Sequence, residues 1–184
     1  MTRCLYVIAC AAPPARRLHI PIKAAQEAGW DVCAVLTPTA YRWAAEDPET
    51  PEGSLPALEA LTGHPIRSQY KLPSQSDVLP DPDAMLVAPL TSNSLHKWAT
   101  GASDTLALGL VTEALGFPEI PIVALPYWNA AQHQHPHRPA AVETLREAGV
   151  QLLLGEGGFV PHPARQGQLD AYPWHAALDA LPTP

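Results

Sequence analysis

Charge is scarce in this chain, and cysteine scarcer. Charged residues make up 16% of the sequence, and their balance is acidic, with a formal net charge of −7. No stretch concentrates Lys and Arg, so the basic face that nucleic acids and anionic membrane surfaces select is missing. Neither is an expected partner. Long apolar runs are missing too: none approaches the ~20 residues of a membrane-spanning helix. The first residues hold one Arg and a short apolar stretch, which reads as a strand and not as a secretion signal. Three cysteines, Cys4, Cys10 and Cys33, cannot all pair, and each stands in strand-like apolar context. They read as reduced core thiols, as suits a cytoplasmic protein. No internal repeat is present, and 184 residues suit one domain with a full core.

What is abundant is proline, 22 residues that cluster in loops and so punctuate the chain. Between them apolar runs alternate with helical segments. Strands are expected over 5–9, 31–36, 64–70, from Met85, over 120–125 and over 150–154. A first helix is expected over 16–28, opened from Pro13 and Pro14 and stopped by Gly29 in the C′ position. A helix starts over 41–45, and others run over 55–61, 95–98, 104–115 and 140–148. The segments 46–53, 72–82 and 129–139 read as loops, and a loop as long as 72–82 is often functional. Residues 1–160 form the domain, and 161–184 read as an irregular C-terminal extension with one helical turn near 174–180. Strand–helix alternation gives a single three-layer α/β/α, Rossmann-like domain on a parallel sheet with right-handed crossovers.

The stretch from Met85 to Asn129 organises the rest. Two of its runs, Met85-Leu-Val-Ala and Ile120-Pro-Ile-Val-Ala-Leu125, are short and continuously apolar, like strands buried on both faces of a parallel sheet. Ligands bind beyond the carboxyl ends of such strands. The turns at 89–94 and 126–129 should therefore share one edge of the molecule.

Specific motifs sit in these turns. Pro89-Leu-Thr-Ser-Asn-Ser94 resembles the Pro-Ala-Ser-Ala-Asn-Thr motif of the homo-oligomeric flavin-containing cysteine decarboxylases. That superfamily includes phosphopantothenoylcysteine decarboxylase and the lantibiotic decarboxylases. Leu95-His-Lys-Trp-Ala-Thr-Gly-Ala-Ser-Asp-Thr-Leu106 follows the family's Leu-x-Lys-x-Ala-x-Gly-x-x-Asp-x-Leu in register, and Pro126-Tyr-Trp-Asn129 resembles the first half of its Pro-x-Met-Asn-x-x-Met-Trp. Three motifs agree in order and spacing over roughly residues 3–155. The resemblance implies a flavodoxin-like fold, FMN as cofactor, a small-molecule or peptide substrate, and homotrimers or multiples of trimers.

On this resemblance the cofactor-binding candidates are Ala9, Cys10, Thr37, Thr39, Pro89, Thr91, Ser92, Asn93, Ser94, Asp104 and Pro126. The residues argue in the same direction. FMN needs a phosphate cradle, a wall for its ring and polar groups for its edge. Turns rich in Ser and Thr that open helices offer free N–H groups to phosphate. Taken singly, each hydroxyl is better read as a helix cap; three such turns on one sheet edge, at 9–12, 37–39 and 91–94, favour phosphate binding. Asn93, expected buried at a strand end, offers two donors and an acceptor. Asp104 reads either as a helix N-cap or as a ligand contact. Trp98 reads as core, while Tyr127 and Trp128 suit a wall.

Asn129 and His133 are the catalytic candidates: the family uses this Asn at the substrate, and His133 stands where the family has a Trp. The family's Gly-Ser pair falls on Ala9 and Cys10. Its catalytic His would fall near Gln75 or Ser76, where no His stands, and its late Cys has no counterpart in Gly155-Glu-Gly-Gly158. His133, His135 and His137 alternate with no Cys nearby, so no metal site is expected. Three functions follow. The first is an FMN-dependent, decarboxylase-like oxidoreductase, the second a non-catalytic FMN-binding regulator or carrier, and the third, weakest, a flavin prenyltransferase-like activity.

Overall fold

The computed structural model describes residues 2–47 and 49–184; Met1 and Pro48, the latter within the expected 46–53 loop, lie outside them. Five parallel strands form the sheet: β1 (Cys4–Ala9), β2 (Asp31–Leu36), β3 (Ala84–Thr91), β4 (Ile122–Tyr127) and β5 (Gln151–Leu152). Their order is β2-β1-β3-β4-β5. This is the flavodoxin-like arrangement, in which the direction of winding reverses between β1 and β3. β1 is buried at every position because helices cover both faces, which explains its unbroken apolar run.

The helices are α1 (His19–Glu27), α2 (Pro38–Glu46), α3 (Leu55–Thr62), α4 (Ser92–Ala99), α5 (Leu106–Ala114), α6 (Ala130–His133), α7 (Arg138–Glu147) and α8 (Trp174–Asp179). α1 packs on α3 and α8, and α4 packs on α5 and α7. Gly29 (φ 103°) and Gly149 (φ 92°) end α1 and α7 in the left-handed conformation that glycine adopts without cost. Trp98 is core, its Nε1 donating to the Val111 carbonyl at 3.1 Å.

Several boundaries differ from expectation, each for a local reason. The first helix is split. A 3₁₀ turn over Pro13–Arg17 precedes α1, which restarts at His19 so that Pro21 falls in its first turn, where proline is tolerated. α2 opens at Pro38 and not at Tyr41, with Thr37 as N-cap. β4 begins at Ile122 because Pro121 has no N–H to give and Ile120 closes a turn onto Phe117. The strand expected over 64–70 is reduced to a single bridge, Arg67 against Val35. Arg67 bonds to Ala34 and Leu36, and among the described residues the segment pairs no further along β2. The expected 129–139 loop holds α6 and the start of α7.

The segment 161–184 returns to the sheet. α8 packs on α1 and β4. Tyr172 and Trp174 are buried, and the Tyr172 hydroxyl donates to the Leu125 carbonyl at 2.8 Å. Among the described residues no helix is long and apolar enough to cross a membrane.

Candidate functional site

The carboxyl ends of β1, β2, β3 and β4 open onto one cavity of about 530 Å³. That volume falls within the ~300–1,000 Å³ of small-molecule sites, and its place at the β1/β3 reversal is where open α/β sheets hold ligands.

Each wall follows from how its strand ends. After β1, the Cys10 N–H donates to the Pro89 carbonyl, so the ladder runs one residue past the strand. The turn onto the cavity is therefore made by Ala11, Ala12 and Pro13. After β2 come Thr37, Pro38 and Thr39. Thr37 is the N-cap of α2, yet its hydroxyl makes no capping bond. Thr39 lies in the first helical turn, where N–H groups have no intrahelical acceptor. After β3, Thr91 caps α4 by accepting from the Ser94 N–H at 3.2 Å, and Ser92 and Asn93 form the first turn. Thr91 thus caps, as the simpler reading of these hydroxyls has it, whereas the Thr37 hydroxyl makes no cap bond and has no partner among the described residues.

After β4, Asn129 forms a capping box with Gln132. Its Oδ1 accepts from the Gln132 N–H at 2.9 Å, while Gln132 Oε1 accepts from the Asn129 N–H at 3.2 Å. The Asn129 Nδ2 has no acceptor among the described residues, so Asn129 can act as a donor at the cavity. Tyr127, Trp128 and Leu108 supply apolar area. Burial raises the Tyr127 pKa above the ordinary phenol value. His162 folds back from the C-terminal segment to pair with Asn129, its carbonyl accepting from the Ala130 N–H at 2.7 Å. The His162 Nδ1 faces the Pro163 carbonyl at 2.8 Å, so Nδ1 carries the proton, and the buried Nε2 has no partner among the described residues.

With this geometry in place, comparison with known proteins gives one decisive match: the Flavoprotein family model covers residues 22–175. The chain belongs to the Flavoprotein family. It is 29% identical over 104 residues to the coenzyme A biosynthesis bifunctional protein CoaBC of Thermococcus kodakarensis, a match spanning 53% of this chain and 25% of that protein's length. Among solved structures it resembles the FMN-dependent cysteine decarboxylase SpaF, with 24% identity, 83% of each chain covered and a TM-score of 0.61. HAL3 from Cryptococcus neoformans gives 18% identity, 96% of this chain and 93% of that one covered, and a TM-score of 0.69. These structural likenesses are of fold.

In this member of the Flavoprotein family, seven candidate residues meet at the cavity: Thr37, Thr39, Thr91, Ser92, Asn93, Ser94 and Asn129. Asn93 is exposed there and not buried, because it sits in the first turn of α4 and not inside the strand. Six candidates lie elsewhere. Ala9 is sealed within β1, and the buried Cys10 thiol is turned onto Thr91 and Ser94, with burial raising its pKa. Pro89 and Pro126 are buried inside β3 and β4. Asp104 neither caps α5 nor lines the cavity: Thr105 takes the cap, accepting from the Leu108 N–H, and Asp104 pairs with Lys97. His133 stands behind Trp128, whose Nε1 donates to its Nδ1 at 3.2 Å, and it does not line the cavity.

Lining residues that sequence reasoning missed include Lys97, Thr105, Gln132 and His162. Gln132 was within reach, since Asn-x-x-Gln is a capping-box spacing. No local signal marks His162. Among the described residues no group of three or more His, Cys, Asp or Glu could hold a metal ion. The rings of His96, His135 and His137 neighbour one another at 5.1 and 5.7 Å between centroids, edge-on and tilted, and His135 Nδ1 accepts from the His137 N–H at 3.3 Å.

Proposed function

We propose that this chain binds FMN in the strand-end cavity and acts as a decarboxylase-like oxidoreductase on a small or peptidyl substrate. The observation that carries this reading is the convergence of Thr37, Thr39, Ser92, Asn93 and Asn129, from three strand ends, on one cavity at the sheet's reversal point.

The donor set fits the group. A phosphate asks for hydroxyl and N–H donors, which the uncommitted Thr37 hydroxyl and the first turns of α2 and α4 supply. A flat ring asks for an apolar wall, for which Tyr127, Trp128 and Leu108 serve. The polar ring edge asks for carboxamides, for which Asn93 is placed. Bound FMN supplies an electron sink that accepts a hydride. The remaining chemistry belongs to the protein. Asn129, a donor at this site, orients a carboxylate or carbonyl oxygen of the substrate, and the apolar walls exclude water. With no His in the 72–82 loop and no Cys in the 155–158 turn, proton handling differs from that of the cysteine decarboxylases it resembles. We read the assembly as a homotrimer or a multiple of trimers. Exposed Tyr70, Leu72, Val78 and Phe117 give it apolar surface to bury.

Titration of the purified chain with FMN, followed by flavin fluorescence, tests the cofactor; light scattering tests the assembly. Saturable binding that weakens in Thr37→Val supports the reading. Absence of binding at millimolar FMN overturns it.

A further inference from the structure

Arg138, the first residue of α7, is only 2% exposed. A buried guanidinium carries a large desolvation cost unless an anion meets it. Yet no Asp or Glu among the described residues forms an ion pair with it. Its Nη2 donates to the Ser92 hydroxyl oxygen at 2.5 Å and to the Gln132 carbonyl at 3.0 Å. Its guanidinium carbon lies 3.9 Å from the centroid of the Trp128 ring. Nε and Nη1 are buried with no partner among the described residues. The group is held in place by two neutral acceptors and an aromatic face, and its charge is left uncompensated.

All three of its contacts, Ser92, Gln132 and Trp128, line the cavity. The bond to Ser92 decides what that side chain can do there. Its oxygen already accepts from a cation, so its O–H is the arm left to donate. Ser92 also opens the eight-residue α4, whose first-turn N–H groups and dipole favour negative charge. A hydroxyl donor, a helix N-terminus and a buried cation are thereby stacked behind one patch of cavity wall.

We propose that Ser92 is an oxyanion seat with Arg138 as its counter-charge. A phosphate or carboxylate oxygen of the bound molecule docks on the Ser92 hydroxyl. Arg138 is a positioning residue that acts through Ser92, neutralising the anion without touching it. The identity of the molecule rests on the FMN reading above; the seat itself does not.

The test uses the full chain, with folding checked by circular dichroism. Inorganic phosphate and acetate are titrated into flavin-free protein by tryptophan fluorescence, and FMN and riboflavin are titrated by flavin fluorescence. Arg138→Met is expected to weaken at least one anion about tenfold or more, as loss of a charge-backed hydrogen bond implies, and Arg138→Lys less. In a Ser92→Ala background the Arg138→Met effect should vanish. A loss for FMN with riboflavin unchanged assigns the seat to the cofactor phosphate. A loss for acetate with both flavins unchanged assigns it to a substrate carboxylate. Equal anion affinities in wild type and Arg138→Met overturn the seat, as does an Arg138→Met effect that persists undiminished in Ser92→Ala. Should Arg138→Met not fold, Ser92→Ala alone must reproduce the loss, and unchanged anion binding there overturns the seat. Anion binding that requires Arg138 in a protein that takes up neither flavin leaves the seat standing and removes the FMN reading.

Discussion

Replacing Gly167 with Ala should distort the wall formed by Tyr127 and His162, for a steric reason that can be isolated. A Cβ built on Gly167 would overlap the Tyr127 hydroxyl oxygen and stand 3.1 Å from both Cε1 and Nε2 of His162. Gly167 does not occupy the left-handed region, so backbone strain adds nothing. The Tyr127 ring cannot swing aside freely. It is packed against His162 at 5.1 Å, Phe159 at 5.5 Å and Tyr172 at 5.7 Å between centroids. Overpacking of this kind costs about 1–3 kcal/mol. For a chain of this size that is a fall of about 2–12 °C in Tm. The assay is a double-mutant cycle by urea or thermal unfolding. Tyr127→Phe removes the oxygen that the new methyl meets, so Gly167→Ala should cost about 1 kcal/mol or more less in that background. An equal cost in both backgrounds, or no cost in either, would refute the reasoning.

Thr37→Val should leave stability within about 0.5 kcal/mol, since no cap bond is lost, and weaken FMN binding; Thr91→Val should cost about 0.5–2 kcal/mol through the lost α4 cap. Unfolding curves read beside flavin titrations separate the two. Asn129→Ala should lose the capping box, about 1 kcal/mol or some 2–4 °C in Tm. Asn129→Asp keeps the acceptor for Gln132, so it should hold stability while reversing the polarity shown to an anionic ligand. Burial lowers the His19 pKa, and its Nδ1 has no partner among the described residues. As pH falls below about 6.5 the unfolded chain takes that proton first, so stability should drop on acidification. His19→Gln should flatten the drop in a pH series of Tm.

Much of the fold was legible because parallel strands covered on both faces must be continuously apolar. The runs over 5–9, 31–36 and from Met85 could hardly be anything else. Gly29 and Gly149 marked real helix ends. The turn of helix near 174–180 was visible too, but its docking on α1 and β4 was not. The strand expected over 64–70 failed because β-compatible residues pair only where a partner runs alongside, and β2 offers Arg67 one position. At the site, the motif residues were legible from 91 to 94 and at Asn129. Of the first turn, Ala11 and Ala12 line the cavity while the candidates Ala9 and Cys10 do not, since the ladder bond from Cys10 to Pro89 holds both in the sheet. Arg138 and His162 were illegible as site residues. Arg138 reaches Ser92 across 46 positions of sequence, and His162 arrives by a fold-back that no local pattern announces.

The most direct measurement is a crystal structure of the chain grown with saturating FMN. The account predicts flavin density in the cavity bounded by Thr37, Ser92, Tyr127 and Asn129. Flavin bound anywhere else, or an empty cavity at saturation, would contradict it.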